Sequence, residues 1–387
     1  MLTLSRVNQL QWSCLQESTN MKALLAILFL FVNGSVGYGQ SNKEIIHLLL
    51  NEPDEEFDVL FCDKSWESHL AFATILTVDS GYVMYYRTSN LKTTPRHTYC
   101  RATSIDGIHW DKPDICLFEY DGSKDNNIIS NRIEGVSVDY VNGTYWMLSD
   151  RTYDKKNKAH REVVAYKSTD GITFERYDKF HVPFYCDSQN EIMWDSTSNT
   201  FKIYLRSWNK SRGRLRTYHH SHQNYRTVSL LEIPTLDYKL PVGENASFKM
   251  GKTKPPTISQ ELPIVIKNNS KTEDFDIYCA YVNKYREDLY IAYPINYYHT
   301  DNIKRGGKID NDGYGTIGFW TSNDGRQFEE IKRDYITNGS NWMETCIGHI
   351  ETEEKFIHYY IPFNNTHAEK HRQNTIRARI HYKKKRH

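Results

Sequence analysis

Beyond residue 40 the apolar positions fall in runs of a few residues, unbroken or alternating, and each run stops at Gly, Asn, Asp or Ser. Short runs bounded by turn formers predict β-strands joined by tight turns. One unit recurs five times: a carboxylate, an apolar strand, a polar or Gly-containing turn, and a second strand rich in Tyr. The first unit has Trp66-Glu67, an apolar run over 69–76, a turn at Asp79-Ser80-Gly81 and a strand over 82–87. The second has Glu134, strands over 136–138 and 145–148, and Asn142-Gly143 between them. The third has Asp187, strands over 192–194 and 201–206, and a turn within 196–199. The fourth has Asp276 with strands over 277–281 and 289–293, and the fifth has Glu344 with strands over 346–350 and 356–360.

A second repeat, Ser-x-Asp-Gly-x-x-aromatic, starts at Ser104, Ser168 and Ser322 and ends at Trp110, Phe174 and Phe328. Asp-Gly suits a positive-φ turn, Ser and Asp side chains bond local backbone, and the aromatic packs on a sheet, so this repeat is structural. Five such units predict an all-β fold, a five-bladed β-propeller with about four antiparallel strands per blade, each innermost strand lining a central channel. Residues 44–50 or 57–61 are the candidates to pair with the last blade and close the ring. The stretch from Pro234 to Pro263, with Pro241, Gly243, Pro255 and Pro256, predicts an irregular crossing between blades three and four that forms part of a wall or lid on one face.

The amino-terminal region reads differently. Met21-Lys22, an apolar run over 23–32 and the small residues Ser35, Gly37 and Gly39 have the layout of a secretory signal peptide. That predicts a leader over 1–39, with residues 1–20 an upstream start or unusual extension, one propeller domain over 40–387, and a secreted or periplasmic protein. The apolar run is too short to cross a bilayer as a helix, so no membrane span is expected. The 28 tyrosines, 16 phenylalanines and 8 tryptophans favour pleated, half-buried surfaces. Removing 1–39 takes away Arg6, Lys22 and Glu17 and leaves acidic and basic side chains in equal number, which gives no argument for a nucleic-acid partner. The basic run Lys383 to Arg386 reads as a solvated tail. Cys62, Cys100, Cys116, Cys186, Cys279 and Cys346 lack metal-type spacing and read mostly as buried thiols, with room for one bridge.

If strands run outward from the axis, the residue entering each innermost strand lies at the channel rim. Glu67, Glu134, Asp187, Asp276 and Glu344 then converge despite their distance in sequence. Crowded carboxylates raise one another's pKa, so one can remain protonated while another is ionised, the condition for glycosidic cleavage. Taken singly, each acid is as readily a cap on turn amides; five at matching positions favour chemistry. Trp66, Trp208 and Trp342 are candidate platforms for sugar faces. Arg87, Arg132, Arg206, Arg286 and His299 are candidates to bind sulfate or carboxylate on an anionic glycan. Gln189 and Asp276, at the entrances to the third and fourth units, are assigned to substrate binding. No cofactor is called for; a structural Ca²⁺ is conceivable among so many oxygens, without any loop-type ligand spacing. There is no Gly-rich phosphate loop, Cys/His metal cluster or Gly-x-Ser-x-Gly elbow.

These carboxylates, together with residues 102–113, 122–129, 187–190 and 311–313, resemble the five-bladed propeller glycoside hydrolases of the family 32, 43 and 68 type, and more narrowly a bacterial hydrolase-like subgroup. The Trp-Met-Asn-Asp-Pro and Arg-Asp-Pro motifs of family 32 are absent. The resemblance implies that Glu67 is base or nucleophile, that Asp187 tunes pKa and binds hydroxyls, and that Glu134 or Glu344 is the acid. Two rivals stand beside it: a non-catalytic glycan-binding propeller, in which the rim acids are paired to Arg or Lys, and a glycoside phosphorylase on the same fold. Sugar, linkage, stereochemical outcome and oligomeric state leave no mark in the sequence.

Overall fold

A computed structural model describes residues 40–89, 97–153, 156, 159–184, 186–210, 224–241, 262–270, 275–300, 304–305, 308–309, 312–368 and 373–383. The predicted leader, the middle of the 234–263 crossing, Asn311 and the end of the basic tail lie outside these residues.

Five antiparallel sheets follow one another along the sequence. Blade one is Leu70–Val78, Gly81–Ser89, His97–Ser104 and Ile128–Ser130. Blade two is Ser137–Val141, Thr144–Ser149, Val163–Ser168 and Glu175–Val182, flanked by a small sheet of Ile133–Glu134, Arg151–Tyr153 and Ala159–His160. Blade three is Glu191–Asp195, Thr200–Lys210, Asn224–Ile233 and Ile264–Ile266. Because Ile264–Ile266 pairs back onto Asn224–Ile233, the 234–263 stretch links two strands of this blade and not, as the sequence had suggested, blades three and four. Blade four is Asp276–Arg286, Leu289–His299, Gly313–Ser322 and Glu329–Ile336. Blade five has Met343–Thr345 and Ile350–Glu351 inside, then Lys355–Pro362 and Thr375–Tyr382, and takes its outermost strand, Glu55–Phe61, from the amino-terminal side of blade one. The fold expected from the repeats is the one observed.

The ring closes at two radii. At the rim, Glu55 to Phe61 pair antiparallel with Ile380 to Thr375. Near the axis, Ile75 donates to the Ile347 carbonyl at 2.8 Å and Ile347 donates to Ala73 at 2.9 Å, joining blades one and five in parallel. The other closure candidate, 44–50, is corrected: Asn42–Leu50 is a helix. Ser41 and Glu44 form a capping box, and Ile45 and Leu49, one turn apart, bury against Tyr285, Leu289 and Tyr335 of blade four.

The Ser-x-Asp-Gly repeats are hinges between blades. In each, the Gly is at positive φ (Gly107 75°, Gly171 67°, Gly325 69°) and the Asp carboxylate accepts two successive amides. The Gly carbonyl then accepts a tyrosine hydroxyl from the neighbouring blade: Tyr359 to Gly107 at 2.6 Å, Tyr85 to Gly171 at 2.7 Å and Tyr204 to Gly325 at 2.9 Å. The same tyrosines meet the terminal aromatics Trp110, Phe174 and Phe328 edge-on. Cys100, Cys186, Cys279 and Cys346 are buried thiols, as the spacing suggested. Among the described residues no helix is long and apolar enough to cross a membrane.

Candidate functional site

Polar side chains from all five blades meet around one end of the axis, and they can be followed from contact to contact. Arg151, just beyond the second strand of blade two, donates from Nη1 to Glu134 at 2.6 Å and from Nη2 to Asp187 of blade three at 3.1 Å. Arg206 pairs with the other Asp187 oxygen at 2.9 Å and lies over the Tyr278 ring of blade four at 4.9 Å. Arg226 lies over Tyr278 at 5.7 Å and donates to Asp276 at 2.7 Å, whose same oxygen contacts His299 at 3.0 Å. Tyr278 packs edge-on against Trp342 of blade five at 4.8 Å, and the Trp342 indole donates to Glu344 at 3.3 Å. Glu344 accepts the Phe72 amide of blade one at 3.1 Å, and Arg87 stacks over the Phe72 ring at 4.3 Å. His97 of blade one returns to Glu134 at 3.8 Å and completes the circuit.

Four of the five predicted rim acids therefore converge: Glu134, Asp187, Asp276 and Glu344. Glu67 does not join them. Its carboxylate is fully buried between Tyr86, which donates at 2.6 Å, and Lys112 at 2.7 Å, with the amides of Asp63 and Lys64 on the same oxygen as Lys112. The reason is local: the innermost strand begins at Leu70 and bulges at Phe72, whose φ is 48°, so the residue that reaches the ring is Phe72, and Glu67 is left in the wall of blade one. Trp66 shares that wall, bonding Asn127 at 3.0 Å and meeting Tyr120 edge-on, so it is packing and not a platform in the ring. Trp342 is in the ring but only 1 % exposed, sealed by Tyr278, Tyr297 and His367. Gln189 is buried on the axis, its amide donating to Val136 at 2.6 Å and Thr74 at 3.2 Å while Oε1 has no hydrogen-bond partner among the described residues. Arg286 is away from the site, in a bidentate pair with Glu351 at 2.8 Å, and Arg132 lines a groove beside blade two. The side chain of Trp208 lies outside the described residues.

Asp150 belongs to the site although no repeat marks it. It is buried behind Glu134 and Asp187 and accepts the Ser188 amide at 3.0 Å. A Cβ on Gly135 would stand 2.1 Å from its Oδ1, so the glycine of Glu134-Gly135 makes the space. Burial pushes the Asp150 carboxyl up to about 8; Arg151 opposes this, and Asp187 and Glu134 reinforce it. Burial also raises Glu344, against the pull of Arg87. By contrast the Asp187 side chain is 45 % exposed between two guanidinium groups, with its backbone at φ 48°. Arg151 and Tyr278 were also missed. A positional signal for Arg151 exists: Arg87, Arg151 and Arg206 each occur six or seven residues after a second strand begins.

The arrangement pairs buried carboxyls whose pKa is raised by burial with an accessible carboxylate, framed by arginines. Among the described residues no group of His, Cys, Asp and Glu is arranged to hold a metal ion.

No family model and no curated protein matches the sequence. Solved structures match the fold over nearly its whole length. One described as a BT0996 complex with RGII is 14% identical, with a TM-score of 0.52 over 88% of this protein and 95% of its own length. A structure described as a glycoside hydrolase is also 14% identical, with a TM-score of 0.52 over 90% of this protein and 97% of its own length. An N-acetylgalactosamine deacetylase from F. plautii, in complex with blood group B trisaccharide, is 10% identical, with a TM-score of 0.52 over 86% and 94%. What the protein shares with them at such identities is architecture alone, and that architecture is a five-bladed β-propeller.

Proposed function

We propose that the protein acts on carbohydrate at this ring and cleaves a glycosidic bond there, with Glu344 as general acid and Asp187 as the opposing carboxylate, base or nucleophile. The observation that carries the reading is the contrast between these two groups. Glu344 is buried, has no ion pair among the described residues and holds its proton above the ordinary carboxylate range; Asp187 is open to the mouth and fixed by two cations. A proton donor and an ionised carboxylate are the two parts that glycoside cleavage requires. Glu67 has no part in it. The fold shared with glycoside hydrolase-like structures is consistent with this reading.

The sugar it takes is poly- or oligomeric and carries an acidic group. Arg87 supports this: its guanidinium faces the ring over Phe72, makes no ion pair among the described residues, and keeps a buried Nε without a hydrogen-bond partner. A half-buried cation of this kind is stabilised by an anionic ligand group. The expected setting is secretion, and no cofactor is needed.

Screening the protein against neutral and acidic plant and algal glycans tests the reading, with Glu344→Gln and Asp187→Asn as controls. Release of reducing sugar that both variants lose supports it; equal release by wild type and variants removes the assignment. One observation favours a second reading, binding without cleavage: Glu134, Asp187 and Asp276 are each clamped by arginine, and Glu67 by lysine. Retained glycan binding with no release by wild type would establish that alternative.

A further inference from the structure

A groove of about 440 Å³ opens beside blade two, where Ser130 ends blade one and the small sheet of Ile133–Glu134, Arg151–Tyr153 and Ala159–His160 begins. We propose that this groove is a second sugar-binding subsite, occupied by a further acidic unit of the same glycan whose reacting unit lies in the ring. The inference rests on the carbohydrate reading above and extends it.

Three observations carry it. The first is contiguity: the Tyr153 hydroxyl donates to Glu134, a member of the ring, while Tyr153 is itself part of the groove wall. The small sheet thus supplies Glu134 and Arg151 to the ring and Tyr153 and His160 to the groove, with one side chain between the two spaces. The second is size and surface. The volume falls within the range of small-ligand sites, roughly 300–1,000 Å³, and Tyr153 and Tyr166 offer ring surface to the C–H faces of a sugar. The third is charge. Arg132, His160 and Arg176 line the groove; among the described lining residues the carboxylate is that of Glu162, engaged by Arg176 at 3.4 Å and His181 at 2.9 Å, and Arg176 also pairs with Asp178 at 3.0 Å. A basic lining next to an arginine-rich ring fits a glycan that carries carboxylate or sulfate on successive units.

The test is calorimetric titration of the full protein with galacturonate oligomers of one to four units, and with neutral oligomers of equal length. The expected result is an affinity that rises roughly tenfold or more once the acidic oligomer is long enough to reach from ring to groove, the effect of one or two charge-assisted contacts. Arg132→Ala and, separately, the half-exposed Arg176→Ala should abolish that gain and leave binding of the shortest ligand that binds unchanged, which also shows that the variants are folded. Length-independent affinity in the wild type, or variants that match it at every length, would overturn the subsite and leave the ring reading standing. Failure of every oligomer to bind would remove both.

Discussion

Glu344 differs from the other acids of the ring in what surrounds it: two hydrogen-bond donors, Phe72 N–H and the Trp342 indole, and no cation within ion-pair distance among the described residues. As the proposed acid it should be nearly irreplaceable. Glu344→Gln is expected to lower kcat by about 10² or more with little change in KM, and the alkaline limb of the pH profile should lie above the ordinary carboxylate range. Steady-state kinetics on the glycan identified by screening checks both. Asp150 gives a prediction about stability instead. Its carboxyl is pushed up to about 8 in the folded protein but ionises near 3.9 in an unfolded chain, so the contribution of Asp150 to stability declines as pH rises between those values. Asp150→Asn keeps an acceptor for Ser188 and removes the titration; denaturant midpoints should therefore move in its favour as pH is raised from about 4 to about 8. A midpoint difference that stays constant across that range would show that Asp150 is ionised in the folded state. No motif announced Asp150: what raises its pKa is burial behind Gly135, a contact between two segments that linear spacing does not encode.

At the scale of elements, the three Ser-x-Asp-Gly repeats were legible because the turn is a local device. Positive φ at the glycine and the Asx-type bonds use neighbours within three residues. Their partner tyrosines were not legible, since they come from another blade. Tyr85→Phe should cost about 1 kcal/mol by removing the bond to the Gly171 carbonyl, which then has to be satisfied by water. Gly171→Ala should cost about 2 kcal/mol or more, because an alanine at φ 67° is strained and its Cβ would stand 2.7 Å from the Tyr85 hydroxyl and 2.9 Å from the Tyr145 ring. Chemical unfolding of both variants gives the order; equal costs would mean that the clasp, and not the turn conformation, dominates. The helix Asn42–Leu50 shows the opposite case. Its apolar run fits a short strand by hydrophobicity alone, and the deciding signal was the Ser41-x-x-Glu44 capping box together with the four-residue spacing of Ile45 and Leu49.

For the whole molecule, stability is exposed to acid through a second polar cluster, between blades four and five. His349 stacks on Tyr285 at 4.1 Å, and His358 accepts or donates at both ring nitrogens with Tyr285 and Tyr293. Burial holds His349 and His381 down at about 4 and His358 well below its ordinary value, with Arg379 opposing protonation of the last two and Glu351 favouring it at His349. At these sites an unfolded chain takes up protons near 6.5, so it binds more of them than the folded protein between about 6.5 and 4, and the histidines' contribution to stability falls as pH falls through that window. Urea midpoints of wild type and His358→Gln compared at pH 7 and pH 5 measure this: on going to pH 5 the midpoint of wild type should fall relative to that of the variant. Closure of the ring makes the effect global: blade five is completed only by Glu55–Phe61, so loosening it releases that amino-terminal strand as well.

Periodicity, turn residues and the repeated order of carboxylate, strand, turn and strand were sufficient for the fold, because each is a short-range property and five consistent copies leave few other architectures. They also placed Glu134, Asp187, Asp276 and Glu344 at one end of the axis, since the start of an innermost strand is fixed by topology. Which acid keeps its proton, which is clamped by arginine, and why Glu67 is withdrawn beside Lys112 depended on contacts between blades and on a bulge at Phe72. Those are set by three-dimensional burial and charge proximity, to which distance along the sequence is blind.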